Sequence, residues 1–243
     1  MKTIALIPAR FDSSRFPGKM LAGLGGKTVI RYTYDAAIKL NFFDDVYVVT
    51  DHQGIYDEIA HNGGKVIMSK KPHETGTDRI AEAAKNLTAD IIFNIQGDEP
   101  FIKRAPVQKL IEAFADTRVD VATLMQKLHD EKEINDPNFV KVVKDLNGFV
   151  MYFSRSPIPY QRGSEKADYY EHIGVYAFRK EALLKFSRIA PTPNELAEKV
   201  EPIRFLEHGM KIKVFVTDYM GIEIDTKEDL IKANHYINTK QSE

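Results

Sequence analysis

No cysteine occurs among the 243 residues, so disulfides, thiolate metal sites and a cysteine nucleophile are all excluded, an absence that suits a reducing compartment. An excess of charge of either sign is missing too: 34 Lys plus Arg stand against 35 Asp plus Glu, a net −1. A global basic field for nucleic acid is thereby ruled out, and any attraction for anions must come from local clusters. Long hydrophobic runs are lacking as well. No stretch approaches the roughly 20 apolar residues that cross a bilayer. The apolar run 3–7 after Met1-Lys2 is too short for a secretory signal and is ended by Pro8-Ala9-Arg10. The chain reads as cytoplasmic, with no membrane or nucleic-acid partner. Repeats and low-complexity tracts are absent. So are a His-Glu-x-x-His pair and a Gly-x-Ser-x-Gly elbow, which removes zinc hydrolysis and serine-triad chemistry.

What is present is 43% hydrophobic and 28% charged, enough for one large domain or a domain with an insertion. Residues 4–8 form a continuous apolar run, as a strand buried on both faces requires. Val29, Ile30, Thr33, Tyr34, Ala37 and Ile38 then recur at helical spacing. Strands are predicted at 46–50, 65–68 and 91–95, and helices at 55–62, 77–86 and 105–115, with Gly63-Gly64 as a helix stop. This β-α rhythm predicts an α/β fold, Rossmann-like, with a mostly parallel sheet and a ligand site at the strands' C-terminal ends. After Val121 the rhythm changes. Runs 139–144 and 149–153 flank Leu146-Asn147-Gly148, a hairpin signal, and 173–178 is a further strand. Residues 157–168 read as a loop. Helical patterning is expected across 195–208, a strand at 211–216, and a last helix from Thr226, where Thr226 and Asp229 are spaced like a capping box. The partition expected is a single nucleotide-binding domain: a core over 1–125, a β-rich elaboration over 126–180 and a return to the core over 181–243.

The richest segment follows the first strand: Leu6-Ile7-Pro8-Ala9-Arg10-Phe11-Asp12-Ser13-Ser14-Arg15-Phe16-Pro17-Gly18-Lys19. Arg10, Arg15 and Lys19 bring three positive charges to one loop. Ser13, Ser14 and Gly18 add donors and close backbone approach, and Pro17 stiffens it. A triphosphate needs fork-shaped and point-like cations of this kind. Gly23-Leu24-Gly25-Gly26-Lys27-Thr28 superficially suggests a Walker loop, but Leu21 stands where that motif needs glycine, so these glycines are a turn before the first helix. Asn94-Ile95-Gln96-Gly97-Asp98-Glu99-Pro100 ends the fourth strand. A carboxylate there, beside a phosphate loop, suits magnesium, which takes one or two protein carboxylates together with phosphates. Asp225, in Gly221-Ile222-Glu223-Ile224-Asp225-Thr226-Lys227-Glu228-Asp229, closes a predicted strand. By itself it is an ordinary helix-entry residue unless it reaches Asp98 in space. His172, alone at the opening of its strand, reads as structural.

Taken together, LIPAR-x5-FPGK, the segment Glu74-Thr75-Gly76-Thr77-Asp78-Arg79, NIQGDEP, YFSRSPIP, EHIGVY and IDTKEDL resemble, in order, the 3-deoxy-manno-octulosonate cytidylyltransferase (CMP-Kdo synthetase) family, from the first residue to Leu230. The resemblance implies an α/β nucleotidyltransferase that moves CMP from CTP to the anomeric hydroxyl of an acidic sugar, releases pyrophosphate, and feeds lipopolysaccharide synthesis. It implies a homodimer joined through the β-rich portion. By the same resemblance Ala9, Arg10, Arg15, Lys19, Thr75, Gly76, Arg79 and Gln96 would hold CTP, and Asp98 and Asp225 would bind Mg2+. Lys19, Arg15 and the two aspartates would carry the catalysis, and Arg155, His172, Tyr176 and Glu201 would contact the sugar. Two departures stand out. The family's Glu-Gln-Leu-Arg is here Glu201-Pro202-Ile203-Arg204, so an amide donor is missing and the sugar stays open between Kdo and its 8-amino analogue. Its Asp-Thr-Pro-Glu-Asp is here Asp225-Thr226-Lys227-Glu228-Asp229, which removes only a first-turn proline. Sialic acid or a sugar phosphate as acceptor, and a non-catalytic nucleotide-binding module, are the alternatives.

Overall fold

A computed structural model of the chain describes all residues except 14, 72, 74, 219–221 and 241–243. Ser14, Glu74 and Gly221 of the motifs above lie outside the described residues. In chain order the elements begin with β1 (Thr3–Ala9), β2 (Gly23–Leu24), β3 (Lys27–Thr28), α1 (Val29–Leu40), β4 (Asp45–Thr50), α2 (Gln53–His61), β5 (Val66–Met68), α3 (Gly76–Ala84), β6 (Ile91–Asn94) and α4 (Arg104–Glu112). They continue with β7 (Val121–Lys127), α5 (Glu131–Asn135), β8 (Lys141–Lys144), β9 (Val150–Ser154), β10 (Tyr170–Arg179), α6 (Lys180–Phe186), α7 (Pro193–Glu198), α8 (Pro202–Glu207), β11 (Ile212–Val216) and α9 (Lys227–Lys240). The chain divides into two compact units, one of Met1–Arg104 with Gly221–Glu243, the other Ala105–Met220. These boundaries fall before and after the 125 and 180 expected from the sequence, because β7, α6 and β11 all belong to the second unit.

In the first unit β1 pairs in parallel with β4 on one side and β6 on the other, and β4 pairs in parallel with β5. All seven residues of β1 are buried, as the apolar run demands. The chain moves outward from β1 to β4 and β5, then returns to β6 on β1's opposite side. The order reverses between β1 and β6, and an open α/β sheet offers its ligand crevice at such a reversal. The loop after β1 and the turn after β6 flank that point. Gly25 and Gly26, both with positive φ, make the tight turn between β2 and β3, and Thr28 then caps α1 by accepting the Arg31 N–H at 3.2 Å. The expected strand before Asp225 is not formed. Residues 222–225 pair with no strand, although the Ile224 N–H donates to the Asp98 carbonyl at 3.0 Å. The Thr226–Asp229 capping box is present in both directions, at 3.0 and 3.2 Å.

The second unit is built on β7, which pairs in parallel with β11 and antiparallel with β10. The β8–β9 hairpin turns at Gly148, with φ 78°, and joins β10 through Glu171 and Lys141. Neither β7 nor α6 was expected: the run 121–127 mixes Thr, Met and Gln with aliphatics and carries no turn signal before it. Helix 195–208 is two short helices. Lys199 takes left-handed φ 54° and Pro202 follows, so the chain breaks between them. The buried Glu195 and Arg204 pair across this break, Arg204 Nε donating to Glu195 at 2.7 Å. β10 carries a bulge between Ile173 and Tyr176, which re-aims its side chains. Among the described residues no helix is long and apolar enough to cross a membrane.

Candidate active site

A cavity of about 390 Å³ opens at the C-terminal ends of β1 and β6. The loop after β1 brings Arg10, Arg15 and Lys19 to it, and Ala9 ends the strand beneath. Thr75, Gly76 and Arg79 arrive on the start of α3, whose N-terminus Thr75 caps by accepting the Asp78 N–H at 3.2 Å. Gln96 and Asp98 come from the turn after β6, and Asp225 from the segment before α9. Every residue of the first unit that the family resemblance singled out therefore lines one cavity.

At its floor Lys19, only 6% exposed, places Nζ 2.5 Å from Asp98 Oδ2 and 3.0 Å from Asp225 Oδ1. Arg15 reaches the other oxygen of Asp225 at 2.8 Å. Burial disfavours the Lys19 ammonium, but the two carboxylates outweigh it and its pKa is raised. Two aspartates 127 positions apart in sequence thus share one cation, and the Ile224–Asp98 backbone bond holds their segments together.

Two glutamates here were not anticipated. Glu223 lies in the same cluster, with one oxygen each of Asp98, Glu223 and Asp225 within 4.8 Å of one another. Desolvation and the charges of Asp98 and Asp225 push its carboxyl up to about 7. Glu99 is raised to about 8 by desolvation first, then by Glu223 and Asp98. Crowded carboxylates of this kind repel one another and favour a cation in their midst. The donor set is all oxygen and hard, and Lys19 Nζ stands where a cation is held between two of its members. These residues fit magnesium.

Gly97 sets the approach of this turn. A Cβ there would lie 3.0 Å from the Pro8 carbonyl and 3.0 Å from Met20 Sδ, so a side chain would push the turn away from β1 by a few tenths of an ångström. Gly97→Ala should displace Asp98 and lower kcat roughly tenfold, as sub-ångström misplacement of a reacting group does. The check is a steady-state assay alongside a circular dichroism spectrum, which should be unchanged.

An adjoining hollow of about 580 Å³ shares Arg10, Asp12, His73 and Arg79 with the cavity. Arg79 is 3% exposed and donates through Nη2 to Asp51 at 2.7 Å, while its Nη1, Ser69 Oγ and His52 Nδ1 are buried with no hydrogen-bond partner among the described residues. His52 stacks on Phe11 with ring centroids 4.1 Å apart. His52 and Ser69 went unnoticed in the sequence because neither stands in a motif.

Arg155, His172, Tyr176 and Glu201 belong to the second unit. Three of them form a neighbourhood: the His172 and Tyr176 rings are 5.3 Å apart, and Tyr176 feels the charge of Glu201. Desolvation lowers His172 to about 3, so its ring is neutral at physiological pH, and raises Tyr176 well above its usual value. Arg155 is spent differently from a simple open fork. Nε donates to the Glu198 carbonyl at 2.6 Å, Nη1 to Pro137 O at 2.7 Å and Nη2 to Lys199 O at 3.3 Å. Three of five donors thus hold the end of α7 and the loop before β8.

Comparison with known proteins shows the family and the fold. Residues 4–212 match the cytidylyltransferase family. A 3-deoxy-manno-octulosonate cytidylyltransferase of Flavobacterium johnsoniae is 53% identical over 237 residues, covering 96% of this chain and 97% of its own. The chain belongs to the 3-deoxy-manno-octulosonate cytidylyltransferase family. Another family member, from Christiangramia forsetii, is 50% identical over 241 residues, covering 98% of this chain and 97% of its own. Among solved structures, a CMP:2-keto-3-deoxy-manno-octonic acid synthetase complexed with CTP superposes with a TM-score of 0.94 at 37% identity, covering 99% of this chain and 100% of that one. A 4-diphosphocytidyl-2C-methyl-D-erythritol synthase from Anaerococcus prevotii, at 21% identity and TM-score 0.63 over 98% of this chain and 99% of its own, shares the fold alone. In this cytidylyltransferase the mostly parallel α/β architecture expected from the sequence is present.

Proposed function

We propose that the chain transfers CMP from CTP to the anomeric hydroxyl of 3-deoxy-manno-octulosonate, forming CMP-Kdo and pyrophosphate for lipopolysaccharide synthesis. The observation that carries this is the meeting of Lys19 and Arg15 with Asp98 and Asp225 at the floor of one cavity. In the reaction the sugar oxygen bonds to the α-phosphorus and the bond from that phosphorus to the bridging oxygen breaks, so catalysis is positioning and charge neutralisation. Arg10, Arg15 and Lys19 receive the triphosphate and offset the charge that gathers on pyrophosphate. Asp98 and Asp225 hold magnesium, which when bound supplies a Lewis acid and eases deprotonation of the attacking hydroxyl. The unpartnered polar atoms of Arg79, Ser69 and His52 support a polar nucleotide edge on that wall. Thr75, Gly76 and Gln96, which line the same cavity, support the ribose side.

Arg155, His172, Tyr176 and Glu201 contact the acidic sugar in this reading. Neutral His172 adds no charge; its Nε2 lies 3.2 Å from Thr123 Oγ1, which leaves Nδ1 for the sugar. The two guanidinium donors of Arg155 that hold no carbonyl face the sugar carboxylate. The protein acts in the cytoplasm as a homodimer joined through its β-rich portion. Met151 and Tyr160, 64% and 86% exposed, suit such an interface.

The test is pyrophosphate release from CTP with Kdo, its 8-amino analogue, sialic acid and a sugar phosphate, each with and without Mg2+. Release with CTP and Kdo only in the presence of Mg2+ is expected. Equal release with UTP, or with the sugar phosphate, overturns the reading. Arg155→Ala should raise the sugar KM about ten- to a hundredfold, the worth of a charge-assisted hydrogen bond, and leave the CTP KM near its parental value. Equal effects on both substrates contradict the sugar contact.

A further inference from the structure

The segment before α9 reads Ile222-Glu223-Ile224-Asp225. An extended backbone sends successive side chains to opposite sides. Ile224 is fully buried, in a cluster with Phe16, Leu24, Val29, Ala233 and Ile237, and its N–H is fixed to the Asp98 carbonyl. Anchoring Ile224 inward turns both of its neighbours toward the cavity, and Glu223 and Asp225 both line it. Lys19 and Arg15 lie on the two aspartates, whereas among the described residues no hydrogen bond or ion pair engages the Glu223 carboxylate. Among the described residues, Glu223 alone of the three clustered carboxylates has no cation paired to it.

We propose that Glu223 is a third acidic ligand of the divalent-cation site, held toward it by the inward anchoring of Ile224. The proposal rests on the reading of Asp98 and Asp225 as the magnesium-holding pair. It has a consequence for ion preference. Magnesium keeps several waters and leans on phosphates, so two protein carboxylates suffice for it; a third favours ions that accept more protein oxygens at longer bonds. Manganese should therefore bind more tightly here than a two-aspartate site would allow.

Mn2+ serves as the probe, titrated by electron paramagnetic resonance into the full-length chain with saturating CTP and no sugar, corrected for Mn2+ held by free CTP. Glu223→Gln should weaken Mn2+ binding at least about tenfold, since even outer partners of metal ligands are worth that much. It should melt no lower than the parent, because among the described residues no hydrogen bond or ion pair engages the carboxylate and the amide relieves its repulsion by Asp98 and Asp225. A Glu223→Gln affinity within about twofold of the parent overturns the proposal, being too small a change for a lost ligand. Asp98→Asn is titrated in parallel. If it too keeps parental Mn2+ affinity, the aspartate pair itself is misassigned, a failure distinct from that of Glu223 alone.

Discussion

Asp98→Asn is expected to lower kcat at least about 10²-fold, the scale on which one preorganised charged contact acts in catalysis. The amide keeps the size of the carboxylate and can still offer Oδ1 to the buried Lys19 ammonium, 2.5 Å away in the parent, but it removes the charge. The backbone of residue 98 is untouched, so its carbonyl still accepts the Ile224 N–H and the two segments stay joined. Loss of turnover should therefore come without loss of structure. Pyrophosphate release at saturating CTP, Kdo and Mg2+ gives the rate, and thermal melting gives the fold. A variant with near-parental kcat would remove Asp98 from the metal-binding role and leave the cavity's chemistry to be rebuilt on other groups.

Lys19→Met should cost a similar amount in kcat, about 10²- to 10³-fold, because it removes a buried point charge that the proposed function places on the triphosphate. It should also show a second effect that Asp98→Asn does not. Lys19 neutralises Asp98 and Asp225, and without it three carboxylates within 4.8 Å face each other with, among the described residues, only Arg15 paired to one of them. A fully buried pair broken in this way costs 3–5 kcal/mol; here the aspartate side chains are 15% and 24% exposed, and solvent screening reduces the loss to about 1–3 kcal/mol. Mg2+ should then raise the melting temperature of the variant more than that of the parent, in which the ion competes with the lysine. Calorimetry with and without Mg2+ reads this directly. Equal responses would mean that Lys19 does not occupy the cation's place.

How much of this was legible in the sequence differs between the two units. The first unit's strands were readable because each is a short apolar run followed by an amphipathic helix with its own cap or glycine stop. Its cavity was readable because the loop after β1 and the turn after β6 carry motifs at the strand ends where ligands bind. Asp225 was harder. Its motif predicted a strand, yet residues 222–225 only lie alongside the turn of Asp98, and the contact that brings Asp225 to the cavity is a backbone bond across 126 positions, from Ile224 to Asp98. Glu223 shows a signal in hindsight: an Ile-Glu-Ile-Asp alternation puts two acids on one side of an extended chain, so a carboxylate assigned at 225 implied another at 223. In the second unit, periodicity misled. The pattern across 195–208 is helical throughout, but a left-handed Lys199 and Pro202 divide it, and the buried Glu195–Arg204 pair closes over the break. Local pattern could not report that Arg155 spends three donors on backbone carbonyls, because those acceptors come from residues 137, 198 and 199.

The first unit is discontinuous, made of residues 1–104 and 221–243, with the second unit inserted between. A ribosome therefore finishes Asp98 and then spends roughly 6 to 25 s, at 5–20 residues per second, before it adds Asp225. During that interval the nascent chain holds Lys19 and one of its acidic partners but not the other. Ile224, which completes the apolar cluster around Phe16 and Val29, has also not been made. The order of synthesis thus separates a partly assembled sheet, with the loop after β1 already made, from a complete cavity.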